Sequence, residues 1–275
     1  MKRKPIHLLS LFVVLLFITA CSLPGVGSDE ETVSVEETAP SEAGGGDEVV
    51  MTDEPMPVTG TGLCANAYYP VREGSTWSYK SSGSYAEDLT WTDTITNVRE
   101  DGFTLTSVYD ELTRTQEWAC GPDGLLALQM GGGAAGGLTT SGAQLTVETQ
   151  NVSGVTYPSE ISAGSQWSQS HEFMGTMDIA GQSAEADGNE QTSFTAIGME
   201  SVTTPAGTFD AMKVEVQTTI NINSTFQGVT VPVTFTGTTT SWYAQGVGWV
   251  KSISMSDFGG ITSTDTIELQ SYSIP

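Results

Sequence analysis

Met212-Lys213-Val214-Glu215-Val216-Gln217-Thr218-Thr219-Ile220-Asn221-Ile222 decides the fold. Met212, Val214, Val216, Thr218, Ile220 and Ile222 fall at every second position, against Lys213, Glu215, Gln217, Thr219 and Asn221. A period of two puts the first set on one face of a β-strand and the second set on the other. The strand is long and half buried. Working outward, similar short apolar-and-threonine runs cover 75–85, 89–98, 103–109, 113–120, 144–152, 166–177, 192–199, 229–243, 249–255 and 262–272. Gly, Asn, Asp and Pro punctuate them, and no stretch carries a helical apolar stripe. About a dozen strands with short turns predict an all-β fold over 58–275. It would be an antiparallel, strongly curved sheet, or a sandwich or open barrel.

Composition narrows the partners. The 275 residues include 33 Asp or Glu and 9 Lys or Arg, a net charge of -24. Binding a polyanion needs clustered basic residues, so nucleic acid is excluded as a partner. With 38% hydrophobic residues, 31 glycines and 15% charged residues, the bulk of the chain is globular in composition.

The amino terminus differs from the rest. Lys2, Arg3 and Lys4 precede an apolar run from Ile6 to Ala20, and Ile18-Thr19-Ala20-Cys21-Ser22 follows directly. Such a run is short against the roughly 20 residues of a membrane span. The pattern resembles a bacterial lipoprotein signal. That resemblance implies removal of residues 1–20, a diacylglyceryl thioether on Cys21 and membrane attachment through that lipid. The location implied is the cell envelope, facing outside the cytoplasm, on an outer membrane or the cell surface. Several acyl chains hold where one is marginal.

Residues 21–57 hold ten acidic residues, from Asp29 to Glu54, and no Lys or Arg. A stretch with so few large apolar residues cannot offset its ordering entropy, so it reads as a disordered tether. Its unperturbed end-to-end distance is about 30–36 Å, lengthened by like-charge repulsion.

Two parts of the remainder look alike. Tyr69-Pro70, Gly74-Ser75, Trp77 and Ser78 recur as Tyr157-Pro158, Gly164-Ser165, Trp167 and Ser168. A Trp-bearing strand and glycine turn close each part, at 118–124 and 242–248. Two related modules, 64–130 and 143–275, would explain this, with the tryptophans at equivalent core positions. Chance matching of common turn residues is the alternative.

Tyr68-Tyr69-Pro70 with Gly74 and Trp77, the turn Thr204-Pro205-Ala206-Gly207-Thr208-Phe209, and the run from Trp242 to Lys251 resemble signatures of uncharacterised exported bacterial β proteins. The resemblance implies a curved antiparallel sheet and carries no catalytic residue. Physically, Pro205 presets a turn and Gly207 accepts a positive φ.

Cys64 and Cys120 remain after Cys21 is assigned to lipid. An exported compartment permits a Cys64–Cys120 disulfide, with free thiols or a metal pair as alternatives. His171 is the only histidine beyond the signal. It reads as a polar strand residue, since no nucleophile-elbow pattern surrounds it. No metal site, cofactor or catalytic constellation is expected. The cluster Glu185-Ala186-Asp187-Gly188-Asn189-Glu190 reads as a solvated hairpin loop rather than a calcium loop, because it lacks the EF-hand order. Gly131–Gly137 lacks a phosphate-loop lysine and reads as a plain loop.

The functional expectation is a non-catalytic, lipid-anchored module that binds a small apolar ligand or another envelope component. Alternatives are a carboxylate-based envelope hydrolase and a purely structural surface module. An apolar cavity, two convergent carboxylates, or a filled interior would separate the three.

Overall fold

A computed structural model describes residues 62–83, 88–110, 112–130, 143–179, 182–258 and 261–275. The signal, the acidic tether, Cys21 and the Gly131–Gly137 loop lie outside the described residues. Thirteen strands make one sheet: β1 (Thr76–Gly83), β2 (Leu89–Thr96), β3 (Gly102–Val108), β4 (Thr113–Gly121), β5 (Gly124–Ala127), β6 (Ala143–Gly154), β7 (Tyr157–Pro158), β8 (Gln166–Ile179), β9 (Gln182–Thr204), β10 (Gly207–Phe226), β11 (Val229–Ala244), β12 (Gly248–Phe258) and β13 (Ile261–Ser273). Every pairing is antiparallel, in the order β6-β8-β9-β10-β11-β12-β13-β1-β2-β3-β4-β5-β7. A 3-10 turn at Gly62–Cys64 is the only helical element among the described residues.

The fold is therefore all-β, a strongly curled half-barrel. Its curl is visible in the chain connections. The edge strands β6 and β7 are separated in sequence by Val155 and Thr156 alone. Val155 N–H donates to Ser168 O on β8 at 3.0 Å, and Thr156 N–H donates to Leu125 O on β5 at 2.8 Å. The two ends of the sheet are thus drawn to one point.

Strand β10 behaves as its periodicity predicts. Met212, Val214, Ile220 and Ile222 are buried, while Glu215, Gln217 and Asn221 are exposed. A bulge at Lys213/Val214 adjusts the register with β9. Pro205 and Ala206 form the two-residue turn between β9 and β10, and Gly207 has φ 142°.

One expectation fails here. Residues 185–190 are not a hairpin loop but part of β9, paired to β8 on one side and β10 on the other. Their acidic density conceals an alternation: Glu185 and Asp187 are exposed, Ala186 and Glu190 buried. Asn223 Nδ2 donates to Asp187 Oδ2 at 3.1 Å, which suits a carboxylate to a strand's outer face. Gly188 is needed where it stands, because a Cβ would meet Asn221 O at 2.0 Å and the Phe173 ring at 2.8 Å.

Three apolar clusters fill the concave side. The largest joins the short strands β1–β5 to β12 and β13 through Trp77, Tyr79, Ile95, Phe103, Trp118, Val250 and Leu269. The second gathers Tyr68, Phe194, Ala196, Met212, Val214 and Tyr243, and the third Met130, Phe173, Met177, Ile220 and Ile222. Each fully buried large side chain contributes about 1.5–3 kcal/mol of transfer free energy. Cys64 and Cys120 are joined by a disulfide, with Cα atoms 4.9 Å apart and a sequence separation of 56. Closing such a loop is worth about 4 kcal/mol in the chain-entropy model.

Candidate functional site

The interior of the curl is where a ligand would be sought, and the segment entering it is Cys64–Val71. Asn66 locks the segment in place: its Oδ1 accepts from Tyr68 N–H at 2.9 Å, and its Nδ2 donates to Pro158 O at 2.9 Å. Tyr69 then sits among four rings, with centroids at 4.9 Å (Tyr157), 5.4 Å (Trp118), 5.8 Å (Trp77) and 5.9 Å (Phe103). Such spacings are those of rings in contact, so the segment is a plug and the space it enters is occupied. Burial pushes the Tyr69, Tyr79, Tyr157 and Tyr243 hydroxyls upward, keeping them neutral donors. Tyr79 donates to Trp249 O at 2.9 Å, and Trp77 Nε1 donates to Val247 O at 2.7 Å.

At the edge of this aromatic filling stands Asp93 on β2. Burial raises its carboxyl to about 6, against opposing hydrogen bonds from Ser107, 2.6 Å away, and Trp91. The Asp93 charge in turn adds to the upward push on Tyr69, Tyr79 and Tyr109.

A second polar group lies deeper, where the sheet ends meet. His171 on β8 is buried, with Nδ1 3.0 Å from Glu190 Oε2. Nε2 is 3.1 Å from both Gln169 Nε2 and Ala127 O. Gln169 Nε2 also donates to Ala127 O at 3.1 Å, while Thr156 Oγ1 accepts from Ala127 N–H at 2.9 Å and donates to Gln169 Oε1 at 2.9 Å. Side chains thus supply the partners that β5 would otherwise take from a further strand. His171 is a hub of the seam rather than an ordinary polar strand residue. The sequence offers no local signal for this, because Glu190 and Ala127 come from other strands.

The outer face carries a depression of about 420 Å³ over β8, β9 and β10. Gln166, Thr195 and Glu215 stand in one row and Ser168, Ser193 and Gln217 in another, with Trp167 and Phe194 between them. A second depression, about 340 Å³, lies beside the disulfide at Gly62, Val71, Val98, Arg99 and Glu100. Among the described residues, short carboxylate contacts run to Arg99, Lys213, Lys251, Lys80, His171, Asn223 and the hydroxyls of Ser81, Thr104 and Ser107. No group of three or more His, Cys, Asp or Glu side chains suited to a metal occurs among the described residues.

A family model described as DUF3108-like matches residues 123–267. No curated protein matches the chain. Among solved structures, a protein from Bacteroides fragilis described as exported, with a YmcC-like fold, is 14% identical with a TM-score of 0.45, the match covering 76% of this chain and 100% of that one. A protein from Parabacteroides distasonis described as a lipoprotein is 18% identical at a TM-score of 0.44, covering 76% of this chain and 99% of that one. The lipoprotein YmcC of Escherichia coli is 11% identical at a TM-score of 0.33, with 73% and 85% covered.

Proposed function

The chain belongs to the DUF3108-like family, and from that premise we propose a lipid-anchored, non-catalytic envelope module that works by binding an envelope component on its outer surface. The observation that carries this is the depression of about 420 Å³ over β8, β9 and β10; Tyr69 and its four ring neighbours fill the interior, which argues against an apolar ligand there. Asp93, His171 and Glu190 are each engaged in contacts that hold strands together. The anchor reading rests on Lys2–Lys4, the apolar run and Cys21. It places the module outside the cytoplasm.

Amide and hydroxyl side chains with one carboxylate line the outer depression, which suits a hydroxyl-rich component such as a glycan better than an apolar ligand. Saturation-transfer NMR with glycan oligomers released from the native envelope tests this. Transfer is expected with the wild-type chain and is lost in Glu215→Ala/Gln217→Ala. No transfer to wild type, or equal transfer to both, would end the reading. Detergent partitioning tests the anchor separately: Cys21→Ala should remain an uncleaved, unlipidated precursor.

A further inference from the structure

In a chain with 42 charged residues, Val216 to Val250 contains no Asp, Glu, Lys, Arg or His. This span holds the far part of β10 and all of β11. Its turn is the pair Gln227 and Gly228, with φ 50° and 81°, the left-handed pair of a tight hairpin. No polar loop therefore projects past the apolar side chains beside the turn. Phe226, Val229 and Val231 are 41%, 64% and 53% exposed. Pairing of Phe226 with Val229, Ser224 with Val231 and Ile222 with Val233 puts all of them on the concave face. They continue the buried cluster of Phe173, Met177, Ile220 and Ile222 out to the rim. Strand β12 pairs with β11 only from Thr236 to Ala244, so the rim stands beyond that neighbour.

We infer that the β10–β11 tip inserts its apolar rim into the interface of a lipid bilayer. Charge selects the occupant. Beyond residue 57 the chain carries 23 Asp or Glu and 6 Lys or Arg, so most of the domain surface is repelled by anionic headgroups; the hairpin itself is free of charge, and the neighbouring Glu185 and Asp187, paired with Thr225 and Asn223, lie on the face opposite the rim. Pro232 lies on the exposed part of β11 and lacks an N–H, which disfavours strand addition by a second copy. Length permits contact with the membrane that holds the lipid. Gly246 N–H donates to Ala67 O at 2.8 Å, so the chain enters the domain at the end of β11 away from the tip. The intervening 16-residue strand is about 50 Å long. The chain from Cys21 to Gly62 reaches about 130 Å when extended. This inference rests on the lipid-anchored reading for its high local lipid concentration, and the test reads the two apart.

Full-length lipoprotein bearing a nitrobenzoxadiazole label at Val229→Cys, or at Ser193→Cys as control, is reconstituted into phosphatidylcholine vesicles. Flotation reports anchoring. Quenching by nitroxides on the acyl chains reports insertion, expected at least twofold greater at 229 than at 193 and abolished by adding Phe226→Asp. Equal quenching at both positions in floating protein overturns the insertion while leaving the anchor intact. A label shift that instead follows protein concentration without vesicles, with a dimer in sedimentation, assigns the rim to a second copy and also overturns it. Absence of flotation with quenching still selective for 229 upholds insertion and removes the anchor.

Discussion

Strands β1–β5 and β8–β12 begin alike and end differently. Gly74 N–H donates to Ile95 O at 2.9 Å, Ile95 N–H to Ser75 O at 2.9 Å, and Ser75 N–H to Arg72 O at 3.1 Å. The same three bonds recur as Gly164 to Ala196, Ala196 to Ser165 and Ser165 to Ser162, at 2.7, 2.9 and 3.0 Å. Gly74 and Gly164 have φ of 84° and 87°. A buried tryptophan sits on the fourth strand of each, Trp118 and Trp242. Yet β1–β5 run 4–9 residues and β8–β12 run 11–23. The first set spends its length on the aromatic plug and the disulfide. The second outruns the plug, crosses the His171 seam and extends to the uncharged tip of the β10–β11 hairpin. Similar beginnings thus serve to close the interior in one region and to extend a surface in the other.

Truncating the plug is the harshest way to break this contrast. Tyr69→Ala should cost about 3–5 kcal/mol in chemical denaturation, because a buried ring leaves a cavity among four others. A cost below about 1 kcal/mol would mean the interior is not filled as described. Next, Cys64→Ser/Cys120→Ser should destabilise by about 2–4 kcal/mol. Hydrogen exchange should accelerate first in β3–β5, with β9 and β10 still protected; uniform acceleration would show that the two regions open as one.

Asp93 gives a pH test confined to the short strands. Its carboxyl is raised from 3.8 to about 6, so the folded state holds this proton more tightly than the unfolded chain. Relative to Asp93→Asn, wild-type stability should fall as pH rises from about 4 to about 6 and stay low above that. The difference is roughly 1–3 kcal/mol, reduced by partial solvent exposure. A variant-minus-wild-type difference that is flat with pH would refute it. In the long strands, Gln169→Leu should cost about 1–3 kcal/mol by leaving Thr156 and Ala127 short of a partner. The smallest effect belongs to the exposed Lys213–Glu200 pair, 3.1 Å apart: Lys213→Met should change stability by less than about 1 kcal/mol.

Much of the strand content was legible because alternation is local. Met212 to Ile222 and the turn at Pro205 announce themselves within a dozen residues. What escaped was long-range or masked by composition. The acids of 185–190 suggested a loop, since charge density obscured the buried Ala186 and Glu190. Nothing near His171 points to Ala127, which lies 44 residues away and meets it only because the sheet curls. Trp77 is fully buried whereas Trp167 is half-buried against Phe194 at 5.1 Å. The matching motifs therefore did not give the two rings the same surroundings.

The pairing of β1 with β13 sets a clock on folding. Thr76 pairs with Ser273 and Gly83 with Asp265, so the first strand of the sheet waits for the last one to be delivered. A chain emerging amino terminus first exposes the β1 edge until nearly all 275 residues are available. Unpaired edges are sites of wrongful association, and distant pairings close slowly. Truncation by a handful of carboxy-terminal residues should therefore harm yield far more than its share of the buried area would suggest.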